Sequence, residues 1–438
     1  MTLTDSSRIA GGSVRDIRID FPRLGPGSDA HNQHTTYSNP YVFVHDSDGV
    51  TGAGISFTLG NGNEQVCAAI DDLLPLVVGE KVSDLLGDFR TFWRRLANPE
   101  QRRWLGPYSG SYYMAAGAIA NALFDLFAKR AQVPLWKLLL SLSPEQIVAL
   151  IDFRYVEHLI TEQEALELLR ANVAQSKQRT SALQAAGLDC YFTTWIGTDP
   201  DALVGQIAYV MGSKGIRRFK VKVGSDVQQD RSKLSAIRRA FGNDVELYVD
   251  ANQVWSAPRA VEWMKQLAEF GIGWIEEPTA PDSVDGHKYV RERLAPLGID
   301  VVTGENCPNS HVAGHFISSG AIDRFQIDAC RVLGPAENVL IMLLAKKFGV
   351  PVCPHAGGSG LDELVPHLSA WNAIALDAGS PKAITEHVAL CSNCFESPSR
   401  VVDGMLQLPE LPGYLVGMRT ESIGKHLFPD GESWRRSS

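Results

Sequence analysis

The 438-residue chain is 45% hydrophobic and 21% charged, with a formal net charge of -9 and a pI of about 5.7. It has no basic run and no basic stripe interleaved with aromatics, so phosphate backbones and anionic membranes would repel it, and nucleic-acid and membrane-surface roles are excluded. Its length exceeds what one hydrophobic core usually serves, so two domains are expected, one of barrel size.

Met1 to Gly12 lacks the basic-then-apolar pattern of a signal peptide, and no apolar run reaches membrane-spanning length; a cytoplasmic chain is expected. Val14 to Phe21 alternates apolar and polar residues and reads as a strand. A Gly, Ser, Asp and Asn-rich loop follows, and Tyr41 to His45 opens a hairpin that Asp48-Gly49 closes and Gly52 to Leu59 completes. Helical periodicity then dominates from Glu64 to Arg130, and strands followed by helices indicate an α+β domain. A polar helical stretch, Glu162 to Ala186, leads to a different rhythm. Eight short β-rich runs alternate with helical segments: Tyr191–Thr194, Arg218–Val223, Glu246–Asp250, Gly273–Glu276, Val301–Thr303, Arg324–Ile327, Val350–Cys353 and Ala383–Thr385. Eight such units predict a closed parallel α/β barrel. No G-x-G-x-x-G follows a first strand and no G-K-[ST] occurs, which disfavours nucleotide binding.

Seven cysteines, at 67, 190, 307, 330, 353, 391 and 394, are odd in number and scattered through apolar segments, as suits reduced thiols. Cys391-Ser-Asn-Cys394 is the one C-x-x-C, and without a second pair it is a poor zinc signal.

Almost every strand ends, on its C-terminal side, in a residue able to do chemistry: Lys220 and Lys222, Asp250 and Asn252, Glu276 and Glu277, Glu305, Asp328, His355 and Glu386. In an α/β barrel these ends converge on one mouth, where the active site lies. Lys220 and Lys222 project to the same face of a strand, about 7 Å apart along the backbone. Enclosed and side by side, one of them is expected to shift toward the neutral amine, a base. Asp250, one of Glu276 or Glu277, and Glu305 would present anionic oxygens from neighbouring strands. An all-oxygen set suits a hard cation such as Mg²⁺ rather than Zn²⁺.

Lys220-x-Lys222, Asp250-Ala251-Asn252, Trp274-Ile275-Glu276-Glu277-Pro278, Thr303-Gly304-Glu305, Gln326-Ile327-Asp328 and Pro354-His355 together resemble the enolase superfamily, in its mandelate-racemase-like branch, over nearly the whole chain. Gly27-Ser28-Asp29-Ala30, the run Phe57 to Asn63, Arg103-Trp104-Leu105-Gly106-Pro107, Ile151-Asp152-Phe153-Arg154-Tyr155 and His355-Ala356-Gly357-Gly358 look like the acid-sugar dehydratases that act on L-fuconate or L-galactonate.

The resemblance implies a modified TIM (β/α) barrel with an α+β capping domain. The cap would span residues 1–155 and the barrel 156–395, with a tail, 396–438, returning to the cap. It implies Asp250, Glu276 and Glu305 as ligands of one Mg²⁺, Lys222 as the base that removes the proton α to the carboxylate, and Lys220 as its charge-tuning neighbour. His355, paired with Asp328, would be the acid on the opposite face, and Glu386 a hydrogen-bond partner of the substrate carboxylate, a role that requires it to be protonated. The implied reaction is dehydration of a sugar acid to a 2-keto-3-deoxy acid by a homo-oligomer whose partner is a small molecule. A racemase or epimerase of the same superfamily, or a catalytically silent binding protein, are the alternatives. Asn252, Ser28, Asp29, Asn32 and Asn63 are candidate contacts to substrate hydroxyls. The sequence departs from the dehydratase pattern at the mouth, in the short connection Trp195-Ile196-Gly197, in Asn306-Cys307-Pro308, and in the run from His387 to Cys394, where a histidine-rich stretch is expected.

Overall fold

The computed structural model describes residues 6–435 except 99, 107, 196–198, 379–382 and 415–416. The first unit is an antiparallel sheet of β1 (Ile9–Asp20), β2 (Thr36–Asp46) and β3 (Thr51–Ile55), in that order. Asp46 shapes the turn between β2 and β3, its carboxylate accepting the amides of Asp48 at 3.0 Å and Val50 at 2.9 Å. The sheet packs on the alanine-rich helix Gly110–Arg130, whose residues from Ala115 to Ala128 are buried throughout. Gly54 permits the close approach, since a Cβ there would stand 2.3 Å from the carbonyl of Ala118 and the amide of Ala122.

The second unit is the curled parallel sheet. β4 (Leu188–Thr193), β5 (Arg218–Lys222), β6 (Glu246–Asp250), β7 (Ile272–Glu276), β8 (Asp300–Thr303) and β9 (Arg324–Phe325) follow in sequence order, and β10 (Thr385–His387) pairs parallel with β4 at the other edge. Between β9 and β10 the expected strand Val350–Cys353 narrows to a single bridge, Phe325 to Val352. Pro351 and Pro354 have no N–H to give a ladder there. Closure rests on that bridge, with Cys353 N donating to Phe325 O at 2.9 Å, and on Glu386 N donating to Pro354 O at 3.2 Å. A helix separates each staves' pair in turn, and the barrel is the modified kind, with β10 followed by a 3₁₀ turn instead of an eighth helix.

The barrel floor is aromatic. Tyr191, Tyr248 and Trp274 pack with Val302, Cys353 and Ile384, and the Tyr248 and Trp274 rings stack at 3.6 Å. The residues two positions further along these strands, Thr193, Asp250 and Glu276, therefore face the same interior one layer higher.

Beyond the barrel, β11 (Val401–Val402) and β12 (Met405–Leu406) form a hairpin on the start of β4, and the chain then runs back to the first sheet. Leu427 bridges Ile17, Phe428 N donates to Asp16 O at 2.8 Å, and the Trp434 indole donates to Arg18 O at 3.1 Å. No helix among the described residues is long and apolar enough to cross a membrane.

His367, fully buried in the helix Leu361–Ala375, lies where cap, barrel and tail meet: it faces the backbone amide of Trp136 and the edge of the Tyr414 ring. Burial pushes its pKa down to about 3. The unfolded chain, with a histidine near 6.5, binds a proton that the folded chain refuses, so this residue's contribution is complete above that value and is lost as pH falls toward 3. Urea denaturation at pH 7 and pH 5 should show the His367→Phe variant losing about 2 kcal/mol less than the wild type over that interval.

Candidate active site

At the C-terminal ends of the barrel strands, the pairing register sets Lys222 beside Asp250 and Asp250 beside Glu276. Lys220 is buried and lies among three carboxylates, 2.5 Å from Glu276 Oε1, 2.9 Å from Glu386 Oε1 and 3.5 Å from Asp250 Oδ2. Lys222 reaches Asp250 Oδ2 at 2.5 Å. Burial alone would lower both lysines, but the carboxylates outweigh it: Glu276 and Glu386 raise Lys220, and Asp250 raises Lys222. As these carboxylates stand, the balance runs toward the ammonium, against the expected neutral amine; a cation held by Asp250 and Glu276 would draw the same oxygens away from the lysines. The strand pattern shows the like charge two residues away; the opposite charges come from across the ladder.

Asp250, Glu276 and Glu305 each offer a carboxylate oxygen within 4.8 Å of the others, which settles the choice between the paired glutamates in favour of Glu276 as the member of this cluster. Among the described residues, nothing hydrogen-bonds to the buried Glu276 Oε2 and Glu305 Oε2. Unsatisfied anionic oxygens at that depth are costly alone, and three converging carboxylates fit a hard divalent cation. Glu277 turns away at φ 44°, and its carboxylate accepts from Gln253 Nε2 at 2.8 and 2.9 Å and from Asn306 Nδ2 at 2.9 Å. Burial, with Glu305 and Asp250 nearby, pushes it up to about 8. Gly304, at φ 141°, lets the chain pass to Glu305 where a Cβ would stand 2.3 Å from Gln326 O.

His355 stands at the other end of the triad. Its Nδ1 is 2.7 Å from Asp328 Oδ2, and its Nε2 is 3.4 Å from Glu305 Oε2 and 4.0 Å from Glu386 Oε2. Asp328 is fixed by the Cys330 amide at 2.6 Å. Burial would deprotonate the ring, but Glu305, Asp328 and Glu386 raise it to about 10, which favours the imidazolium. The expectation of a protonated Glu386 is corrected. Burial favours the acid, yet Lys220, His355, the Thr193 hydroxyl and the Ala356 amide at 2.7 Å hold it well below the usual carboxylate range.

The cap loops lie over the mouth: Ala30 packs on Gly224 beyond β5, and the Phe57 ring on Gly358 beyond His355. Among the described residues, neither the buried Ser28 hydroxyl nor the side-chain carbonyl of Asn252, beside Asp250, has a hydrogen-bond partner. Asp29 accepts the amides of His31 at 2.7 Å and Asn32 at 2.6 Å, and the Asn32 side chain bonds back to Asp29 at 3.1 Å, so this pair shapes its own loop. Asn63 is not brought to the mouth group: it is buried, with its carbonyl on Thr58 at 2.6 Å and its amide on Asp16 at 2.6 Å. Of the departures at the mouth, residues 196 and 197 lie outside the described residues, as does Pro107. His387 faces Asp362 at 3.3 Å and Lys214 at 3.1 Å, and Cys391 and Cys394 are free thiols. Thr193 and Gln253 take part without having been picked out, and Asn306 was marked only as a departure from pattern; amide and hydroxyl residues at loop starts carry no distinguishing spacing.

The chain belongs to the enolase superfamily: residues 202–422 match the enolase C-terminal domain-like family, and residues 26–139 match the N-terminal domain of mandelate racemase / muconate lactonizing enzyme. It is 41% identical over 433 residues to human mitochondrial enolase superfamily member 1, covering 98% of each chain, and that protein's crystal structure superposes with a TM-score of 0.95. It is also 41% identical over 433 residues to the L-galactonate dehydratase of Hypocrea jecorina, covering 97% of this chain and 96% of that one. The L-talarate/galactarate dehydratase of Salmonella typhimurium, liganded with Mg and L-lyxarohydroxamate, shares the fold at 24% identity and a TM-score of 0.73, over 96% of this chain and 93% of that one.

Isothermal titration should find one hard divalent cation, Mg²⁺ or Mn²⁺, per chain. Glu276→Gln should weaken that binding by at least about tenfold, since it removes one of three anionic ligands.

Proposed function

We propose that this chain is a Mg²⁺-dependent dehydratase of a sugar acid, an aldonate of the L-galactonate or L-fuconate type. The observation that carries the reading is that Lys222 touches one member of the carboxylate triad, Asp250, while the His355–Asp328 pair faces another, Glu305. The kinship to an L-galactonate dehydratase supports the substrate class, and the Mg-liganded relative supports the metal. In this reading Asp250, Glu276 and Glu305 hold the cation, residues 156–395 carry the chemistry, and residues 1–155 with the tail 396–438 close the mouth.

A proton α to a carboxylate is weakly acidic because its removal places charge on the carboxylate oxygens; a cation held by Asp250, Glu276 and Glu305 would supply positive charge against that charge. Lys222 takes the α-proton at Nζ as the free amine. Lys220, whose own charge is fixed by Glu276 and Glu386, disfavours a second ammonium beside it, and Asp250 cannot devote the same oxygens to Lys222 and to a ligand role. The C2–H bond breaks, and the electron pair expels the 3-hydroxyl as His355 gives it the proton from Nε2. Asp328 holds the ring at Nδ1 throughout. The enol that remains tautomerises to the 2-keto-3-deoxy acid. Glu386, ionised, acts as an acceptor that fixes Lys220 and steadies the imidazolium.

Lys222 and His355 could instead exchange the α-proton between faces, which is epimerisation. Incubation of six-carbon and 6-deoxy aldonates with Mg²⁺ separates the two by the 2-keto acid released. Lys222→Ala should lower its formation by at least about a hundredfold. His355→Asn should lose the keto acid yet retain exchange of the α-proton with deuterated solvent. Inversion or exchange by the wild type without any keto acid would sink the dehydratase reading.

A further inference from the structure

The three carboxylates of the triad are not held alike. Asp250 and Glu276 are each gripped by a lysine at 2.5 Å. Among the described residues no lysine or arginine pairs with Glu305. Its Oε2 faces the His355 ring, at 3.4 Å, and its Oε1 faces the side-chain amide of Asn306, at a long 3.5 Å. Asn306 is itself braced on both sides. Its Nδ2 donates to Glu277 Oε1 at 2.9 Å, and its Oδ1 accepts from Arg331 Nη2 at 2.5 Å. Gln253 secures the far side of Glu277, and the other arm of Arg331 reaches Met114 Sδ, at 3.6 Å, in the cap helix Gly110–Arg130.

A glutamate side chain has three torsions, and fixing it for a ligand role loses rotamer freedom unless a neighbour has already done so. Lysine does this for Asp250 and Glu276. For Glu305 the available neighbour is Asn306, whose single amide also occupies the carboxylate of Glu277, the acidic residue next to Glu276 in sequence. The amide thus sorts the two glutamates, one inward and one aside.

We propose that Asn306, steadied by Arg331, is a positioning residue that sets the orientation of Glu305 and so the geometry of the cation site, and that it ties this site to the cap through Met114. The proposal rests on the reading of Asp250, Glu276 and Glu305 as the cation ligands. Mn²⁺ titrated into the metal-free, full-length protein, followed by calorimetry and by the electron paramagnetic resonance spectrum of the bound ion, tests it. Loss of an outer hydrogen bond to a ligand weakens metal affinity by roughly 10- to 100-fold. Asn306→Ala should raise the Kd for Mn²⁺ by about tenfold or more and alter the spectrum of the bound ion, with the melting temperature of the metal-free protein unchanged. Arg331→Met, which leaves Asn306 in place but unbraced, should move Kd and spectrum the same way by less, and it carries the test if the alanine variant does not fold. Wild-type Kd and spectrum in the folded variants would overturn the positioning role while leaving the cation site standing. A wild type that binds no Mn²⁺ would overturn the cation reading, and this proposal with it.

Discussion

The ammonium of Lys220 is the charge on which the barrel mouth depends. It sits on β5 with carboxylates from β6, β7 and β10 around it and the ring of Tyr191, at 5.5 Å, beneath it. Carrying ions into a protein interior costs several kcal/mol each, and removing one partner of a buried pair costs about 3–5 kcal/mol, because the survivor has no water to turn to. One buried cation thus makes four strands mutually dependent. It also accounts for the downward pull on Glu386, which burial among carboxylates would push up: the positive charges of Lys220 and His355 flank it from two sides.

From that centre the site divides into two halves of different character. Lys222 and Asp250 form a tight pair at one end; His355 and Asp328 form another at the opposite end, and Glu305 lies between the histidine and the cap-facing network of Asn306. The aromatic floor keeps water from reaching this layer from below, since Tyr248, Trp274 and Tyr191 fill the barrel where its ionic groups begin. A low local dielectric strengthens every charge interaction above it. The cap loops cover the opposite side through the contacts of Ala30 and Phe57 with glycines beyond the strand ends.

Much of this was legible in the chain. Short β-branched runs followed by a functional residue and a loop repeat often enough to show the barrel and its reactive end, and residues from Lys220 to Glu386 that looked isolated in sequence converge in space. The seventh strand was overdrawn, because apolar character marked Val350 to Cys353 while the two prolines around it withhold the ladder's donors. The opposite charges facing the lysines were missed for a related reason. Spacing along one strand reveals Lys220 beside Lys222, but the register that sets Lys222 against Asp250 belongs to a pair of strands. Asn63 looked like a turn residue free to meet substrate and is instead an interior bridge between Thr58 and Asp16. Asn306 is the converse case, a residue marked by sequence only as a departure from pattern, whose partners, Glu277 and Arg331, lie on other loops.

The return of the tail to β1 has a consequence for how the molecule is made. The outer edge of the first sheet is covered by Leu427, Phe428 and Trp434, residues synthesised after every barrel strand. At a synthesis rate of about 5–20 residues per second, the barrel and its ring of charges leave the ribosome well before the segment that completes the cap. The catalytic end of the molecule is thus assembled under an unfinished roof, and β1 waits as an open edge of the kind that pairs with wrong partners. The last stretch of chain is what turns that nascent edge into an interior.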